Sequence, residues 1–172
     1  HNGAWRALNS SSSPAALAEV AEARDYGPVP HLARLRSGDL YLAQAISPES
    51  EADASRGESL DKAAEMYQAV LNSETSRPAF RVNAHLGLAA VAESRDKLPE
   101  AGEHYEAARA LAEDHGLSAL ASEATHRREL LNRIEKPVNF AAPATQPTTG
   151  AATSPAVERP IPGANLDLDM AP

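Results

Sequence analysis

Residues 60–71 read LDKAAEMYQAVL, and residues 98–109 read LPEAGEHYEAAR. Aligned, they share Leu, Ala, Glu, Tyr and Ala, five of twelve positions at an offset of 38 residues. The common skeleton is Leu60, Ala63, Tyr67 and Val70, against Leu98, Ala101, Tyr105 and Ala108. Spacings of three and four put each set on one face of a helix. Glu100, Glu103, His104 and Glu106 offer a competing reading, as an acid–histidine cluster for a metal or for proton transfer. Each residue turns about 100° around the helix. With Tyr105 inward, the charged side chains therefore fall on the solvated side. The stretch reads as the wet side of a packed helix.

The rest of the composition agrees. The chain has 172 residues, enough for one domain with a sizeable core, and is 42% hydrophobic but only 4% aromatic. Alanine and leucine carry the apolar content, which favours close-packed helices. No strand-type run of Val, Ile, Thr and aromatics occurs before residue 137. The expected fold class is all-α. A net charge of −8 makes a phosphate-backbone partner a poor match, because no Lys/Arg stripe exists to release counterions. The absence of cysteine removes disulfides, thiolate nucleophiles and Cys-ligated zinc. No apolar stretch approaches the roughly 20 residues needed to span a bilayer. The first residue is His1 rather than Met, and we expect an anchor or cleaved segment upstream of it.

Punctuation divides the chain. Trp5 and Leu8 lie in a short N-terminal segment. Ser13-Pro14 opens a helix that ends near Tyr26-Gly27-Pro28, and Pro30 opens another from His31 to about Ile46. Residues 47–57 read as a polar loop. Further helices are expected at 58–73, 78–94, 98–114 and 117–135, with Gly116 just past a helix end. That makes about six helices. From Pro137 the composition changes, and seven of the thirteen prolines fall there. Proline removes a donor and disfavours helix before it, so residues 136–172 are expected to be extended or disordered. The resulting division is 1–30 as N-terminal segment and capping helix, 31–135 as helical repeats, and 136–172 as tail.

The repeated skeleton resembles the tetratricopeptide repeat (TPR), a helix pair of about 34 residues whose second helix carries A-x3-F. Ala63-x3-Tyr67 and Ala101-x3-Tyr105 match that element, and Gly38-x2-Tyr41 matches the G-x2-Y of a first helix. In the second repeat Leu88 fits the family leucine, while Ala89, Ala92 and His85 replace its Gly, Tyr and Trp. The resemblance covers residues 31–135. It implies a short solenoid of helical hairpins in which Gly38, Tyr41, Leu60, Ala63, Tyr67, Leu88, Leu98, Ala101, Tyr105 and Ala108 pack the repeats. A narrower likeness is to bacterial membrane-anchored TPR proteins, carried by AWRAL at 4–8, HLARLRSGDLYLAQA at 31–45 and HLGLAAVAESRDKLPEAGEHYEAARAL at 85–111. It implies the cell envelope, on the periplasmic side, with membrane attachment through an upstream anchor or a partner.

Carried onto this chain, the family's groove residues are Asn83, Leu86, Ala90 and Glu93 in the second repeat and Leu32, Leu35, Asp39 and Leu42 in the first. Two readings of the three leucines stay open: they line a groove, or the helix at 14–26 caps them. The segment NLDLDMAP alternates acidic and apolar residues, so Leu166, Asp167, Leu168, Asp169 and Met170 form a candidate docking motif. Histidines His1, His31, His85, His104, His115 and His126 show no H-x3-H spacing. No G-x-S-x-G and no Gly-rich phosphate loop is present. Neither cofactor nor metal nor catalytic residue is expected. The expected function is a non-enzymatic scaffold that binds protein subunits or peptide segments. The alternative is a structural subunit of a larger particle that uses its outer helix faces and tail.

Overall fold

The apolar periodicity and the prolines lay out a series of helices in the computed structural model, which describes residues 2–22, 27–47 and 53–134. Among these residues the chain forms seven helices and no strand: α1 (Asn2–Ser10), α2 (Pro14–Glu22), α3 (Val29–Ile46), α4 (Asp53–Leu71), α5 (Pro78–Ser94), α6 (Leu98–Asp114) and α7 (Ser118–Ile134). Pro14 is the first residue of α2, and Pro30, Pro78 and Pro99 occupy the first turns of α3, α5 and α6. A missing N–H costs nothing there, and the fixed φ suits the helix.

Two of the turns close in the same way. Gly116 has φ +67°, its N–H donates to Glu113 O, and Leu117 N–H donates to Ala112 O at 2.8 Å. Asp96 repeats the pattern after α5 with φ +57°, its N–H donating to Glu93 O and Lys97 N–H to Ala92 O. Both satisfy the last carbonyls of the helix through a left-handed residue. Glycine takes that conformation freely, and Asp is among the few other residues that tolerate it.

Each helix packs on its chain neighbours, and further contacts join α1 to α3, α3 to α5 and α5 to α7. The core is accordingly serial. One cluster is Leu8, Leu17, Ala21, Val29 and Ala33. The next gathers Ala45, Leu60, Ala63, Tyr67, Val70, Ala84, Leu88 and Val91. The third runs from Val82, Leu86 and Ala89 through Ala101, Tyr105 and Ala108 to Ala121, Ala124 and Leu131. The N-terminal segment is tied to α3 by polar bonds as well. Arg34 Nη2 donates to Ala21 O, Arg36 Nη1 to Leu8 O at 2.7 Å, and buried Ser37 Oγ to Pro14 O at 2.8 Å.

Gly38, Leu60, Ala63, Tyr67, Leu88, Ala101, Tyr105 and Ala108 are buried, while Tyr41 and Leu98 are half-buried against the clusters. Tyr67 does more than fill a gap. A Cβ built on Gly38 of α3 would stand 2.8 Å from its ring, and one on Gly87 of α5 only 2.4 Å from its Cζ. The ring is clasped between two helix backbones that only glycine brings so near.

Two expectations need correction. Residues 2–10 form a helix rather than a loose segment, so the described helices number seven, not six. The loop expected at 47–57 is shorter, because α4 begins at Asp53. No proline interrupts residues 53–58. Arg56 Nη2 donates to Ser94 O at 3.0 Å, and Lys62 pairs with Glu58 one turn away. These contacts hold an early turn that composition alone reads as loop. The capping helix is described as Pro14–Glu22 only. The tail expected at 136–172, with Leu166, Asp167, Leu168, Asp169 and Met170, lies outside the described residues.

Two glycines give opposite predictions. Gly57 of α4 has open space around its Cα, so Gly57→Ala should stabilise by about 0.5–1 kcal/mol through helix propensity. Gly87→Ala should instead destabilise by about 1–3 kcal/mol through overpacking, and less so in a Tyr67→Leu background. Thermal melts of the four variants check this; a higher Tm for Gly87→Ala would contradict the clasp.

Candidate functional site

The odd-numbered helices share one side of the fold, and their side chains there surround an open cavity of about 580 Å³. From α3 come Leu32, Leu35, Arg36, Asp39 and Leu42, and from α5 Asn83, Leu86, Gly87 and Ala90. Helix α1 adds Trp5, Leu8 and Asn9 at one side, α7 adds Arg127, and Tyr67 of α4 reaches in from the layer behind. Spacings of three and four along α3 and α5 put these residues on single helical faces. Leu86 is 8% exposed, Leu32, Leu35, Leu42 and Ala90 are half-buried, and Asn83, Asp39 and Trp5 are exposed. The groove therefore has a largely apolar lining, with the Asp39–Tyr67 pair set between Leu35 and Leu42 and with Asn9, Arg36, Asn83 and Arg127 as further polar groups.

Seven of the eight residues that the family resemblance placed in a groove line this cavity: Asn83, Leu86, Ala90, Leu32, Leu35, Asp39 and Leu42. Glu93 lines a neighbouring recess with Tyr105, His126, Arg127, Leu130 and Ile134. The three leucines are not hidden by α2 alone: Leu32 packs on the first cluster, and Leu35 and Leu42 on the second, while all three still face the cavity. Sequence reasoning missed Trp5, Leu8, Asn9, Arg36, Gly87 and Arg127. The Trp5–Leu8 pair at i, i+3 was the available signal for α1, and Arg36 stands one turn from Asp39 on the face already chosen.

The polar groups are organised by the two repeated tyrosines. Tyr67 Oη donates to Asp39 Oδ1 at 2.7 Å, and Tyr105 Oη to Glu93 Oε1 at 3.0 Å. Burial, and then the Asp39 charge, hold the Tyr67 hydroxyl far above its ordinary range. Burial and the Glu93 charge push Tyr105 up to about 12. Both therefore stay protonated donors at any physiological pH. Asp39 exposes much of its surface, yet its carboxyl end is shielded. That burial raises its pKa, against a smaller lowering by the Tyr67 hydroxyl. Arg127 Nε bonds Glu123 Oε1 at 2.6 Å, and this bond chiefly raises its pKa. Arg36 has no carboxylate partner among the described residues; its Nη1 is held by Leu8 O.

Away from the groove, α5 and α6 bring two histidines together. His85 Nδ1 and His104 Nδ1 are 3.3 Å apart, with ring centroids at 5.6 Å. His104 is half-buried, whereas Glu100, Glu103 and Glu106 are exposed. Its expected place on the solvated side is thus corrected. A helix packed between two neighbours buries a wider arc than a single stripe. The nitrogens lie nearly on the line joining the ring centres, the head-on geometry of an N–H···N hydrogen bond between neutral imidazoles. Burial, the His104 ring and Arg81 lower the His85 pKa to about 4. Burial also lowers His104, opposed by Glu100 and Glu103. Among the described residues no group of three His, Asp or Glu side chains converges to hold a metal ion. His31 is also buried, its Nε2 bonded to Thr75 Oγ1 at 3.1 Å and its Nδ1 without a hydrogen-bond partner among the described residues, beside a cavity of about 160 Å³, room for water.

Compared with known proteins, the chain matches no family model, no curated protein and no solved structure.

Two measurements test this chemistry. With His85 at about 4 in the folded protein and 6.5 in its absence, the unfolded chain binds more protons between those values. Stability should therefore fall as pH drops from 6.5 toward 4, by about 1–2 kcal/mol after allowance for solvent screening. His85→Gln should flatten that part of the Tm–pH curve; an unchanged slope would contradict it. Tyr67→Phe removes the donor to Asp39 and should cost about 1 kcal/mol. It should also raise the Asp39 pKa further, read from the carboxyl carbon shift in an NMR titration.

Proposed function

We propose that this chain is a non-enzymatic, TPR-like scaffold that holds a segment of another protein in the groove of its odd-numbered helices. The observation that carries the reading is the groove itself: Leu32, Leu35, Leu42, Leu86 and Ala90 share one open face, interrupted by the Asp39–Tyr67 pair. A largely apolar lining with a few fixed donors and acceptors suits one helix or one extended segment. The serial packing, the offset of 38 residues between Tyr67 and Tyr105, and the three successive clusters support the hairpin-solenoid description. The polar groups on this face have structural duties, since Asp39 holds Tyr67, Arg127 holds Glu123 and Arg36 holds Leu8. That supports binding rather than chemistry. With the resemblance to envelope TPR proteins, an accessory subunit of a membrane-associated assembly is the role we assign. No described helix is long and apolar enough to cross a membrane.

A second reading, a structural subunit of a larger particle, is favoured by one observation. Leu130 is 41% exposed and Ile134 71%, on the face of α7 that lines the recess beside the groove. In that reading this face, and not the groove, carries the assembly.

A library of random twelve-residue peptides displayed on phage, selected on the intact chain, separates the two. Ala90→Arg places a bulky cation in the groove from a half-buried position, where Leu86→Asp would risk the core. Selected peptides should lose at least tenfold in affinity against Ala90→Arg with an unchanged melt. Peptides indifferent to Ala90→Arg but weakened by Ile134→Asp would overturn the groove reading.

A further inference from the structure

Resting on that groove reading, we infer that the segment the groove takes is one in which acidic side chains flank apolar anchors, with Arg36 as the residue that selects them. The chain carries a net charge of −8, yet the charged groups lining the groove are two guanidiniums and one carboxylate. The carboxylate, Asp39, is engaged by the Tyr67 hydroxyl at 2.7 Å. Arg127 is engaged by Glu123. Arg36 is different. One nitrogen is fixed to Leu8 O at 2.7 Å, and no carboxylate bonds the guanidinium among the described residues. That bond orients a planar fork at the groove wall while its remaining N–H groups stay open to an incoming oxygen pair. An oriented guanidinium is well suited to a carboxylate, because the fork matches it and less side-chain entropy is lost on binding.

The surroundings set the rest of the occupant. Leu32 and Leu35 lie one turn and one residue before Arg36, and Leu86 and Ala90 face them from α5. A carboxylate meeting Arg36 therefore sits beside side chains that seat on leucine. An acidic residue next to a Leu, Ile or Phe anchor satisfies both. A basic segment fits poorly, since it would oppose Arg36 and Arg127 and could gain only Asp39, whose oxygen already accepts from Tyr67.

The peptide library supplies the test, selected in parallel on the intact chain and on two variants. Arg36→Gln keeps an N–H that can bond Leu8 O but removes the charge, and Arg36→Glu reverses it. Emission of Trp5, the chain's single tryptophan and a groove residue on α1, reports whether α1 stays in place. Peptides selected on the unaltered chain should carry Asp or Glu beside apolar anchors. They should bind Arg36→Gln about ten- to hundredfold more weakly, the loss of one charge-assisted hydrogen bond. Arg36→Glu should select Lys or Arg at the same position. Peptides that bind the groove without acidic bias, or equally well to Arg36→Gln, overturn this inference and leave the groove reading standing. Concentration-dependent self-association that Ala90→Arg abolishes would make a second copy the occupant and overturn it too. Failure to select any groove-binding peptide would overturn the groove reading itself.

Discussion

The ring of Tyr67 is the contact on which the arrangement turns. It rises from α4 and meets the backbones of α3 and α5 at Gly38 and Gly87, where no larger residue leaves room. Three helices are thereby registered by one side chain that is 1% exposed. Apolar burial alone would tolerate sliding, because alanine-rich faces are nearly flat and repack cheaply. A ring seated between two glycines does not slide. Its hydroxyl then emerges on the far side and finds Asp39, so the same residue that sets the packing also sets a polar group at the groove.

That registry explains why the groove faces as it does. Gly38 shares its helical face with Leu35 and Leu42, and Gly87 shares its own with Ala90, so the approach of α3 and α5 to Tyr67 turns these side chains toward the same open cavity. Arg36 draws α1 alongside through Leu8 O, and Trp5 completes that wall. The second tyrosine plays a related but unequal part. Tyr105 is buried among Val82, Leu86, Ala89 and Ala124, and it donates to Glu93, one turn beyond the groove set. The two repeats therefore share a packing skeleton while their polar ends diverge, and the divergence separates the main cavity from the recess beside α7.

Much of this was legible in the chain. Local rules fix the helix ends: proline in first turns, and glycine at Gly116 after α6. The spacing of Leu60, Ala63 and Tyr67, and of Leu98, Ala101 and Tyr105, is a one-dimensional record of which face is buried. Other features depend on residues distant in sequence and leave weaker marks. Gly87 could have been suspected, since a glycine amid good helix formers costs about 1 kcal/mol and tends to have a packing reason. Its partner, twenty residues earlier, could not have been named. The pairing of His85 with His104 is a product of how α5 crosses α6, which no spacing encodes. The early start of α4 rests on Arg56 reaching Ser94, again a tertiary contact. The groove residues on α3 and α5 came from the family resemblance, while α1 and Arg127 required the fold.

The central claim is that the leucine floor between α3 and α5 is where a partner segment binds. The most direct measurement is a methyl NMR titration of the chain, labelled at Leu, Ile and Ala, with a library-selected peptide. Shifts should concentrate at Leu32, Leu35, Leu42, Leu86 and Ala90, with Ile46, Leu130 and Ile134 unmoved. Shifts confined to Leu130 and Ile134, with the groove methyls silent, would contradict it.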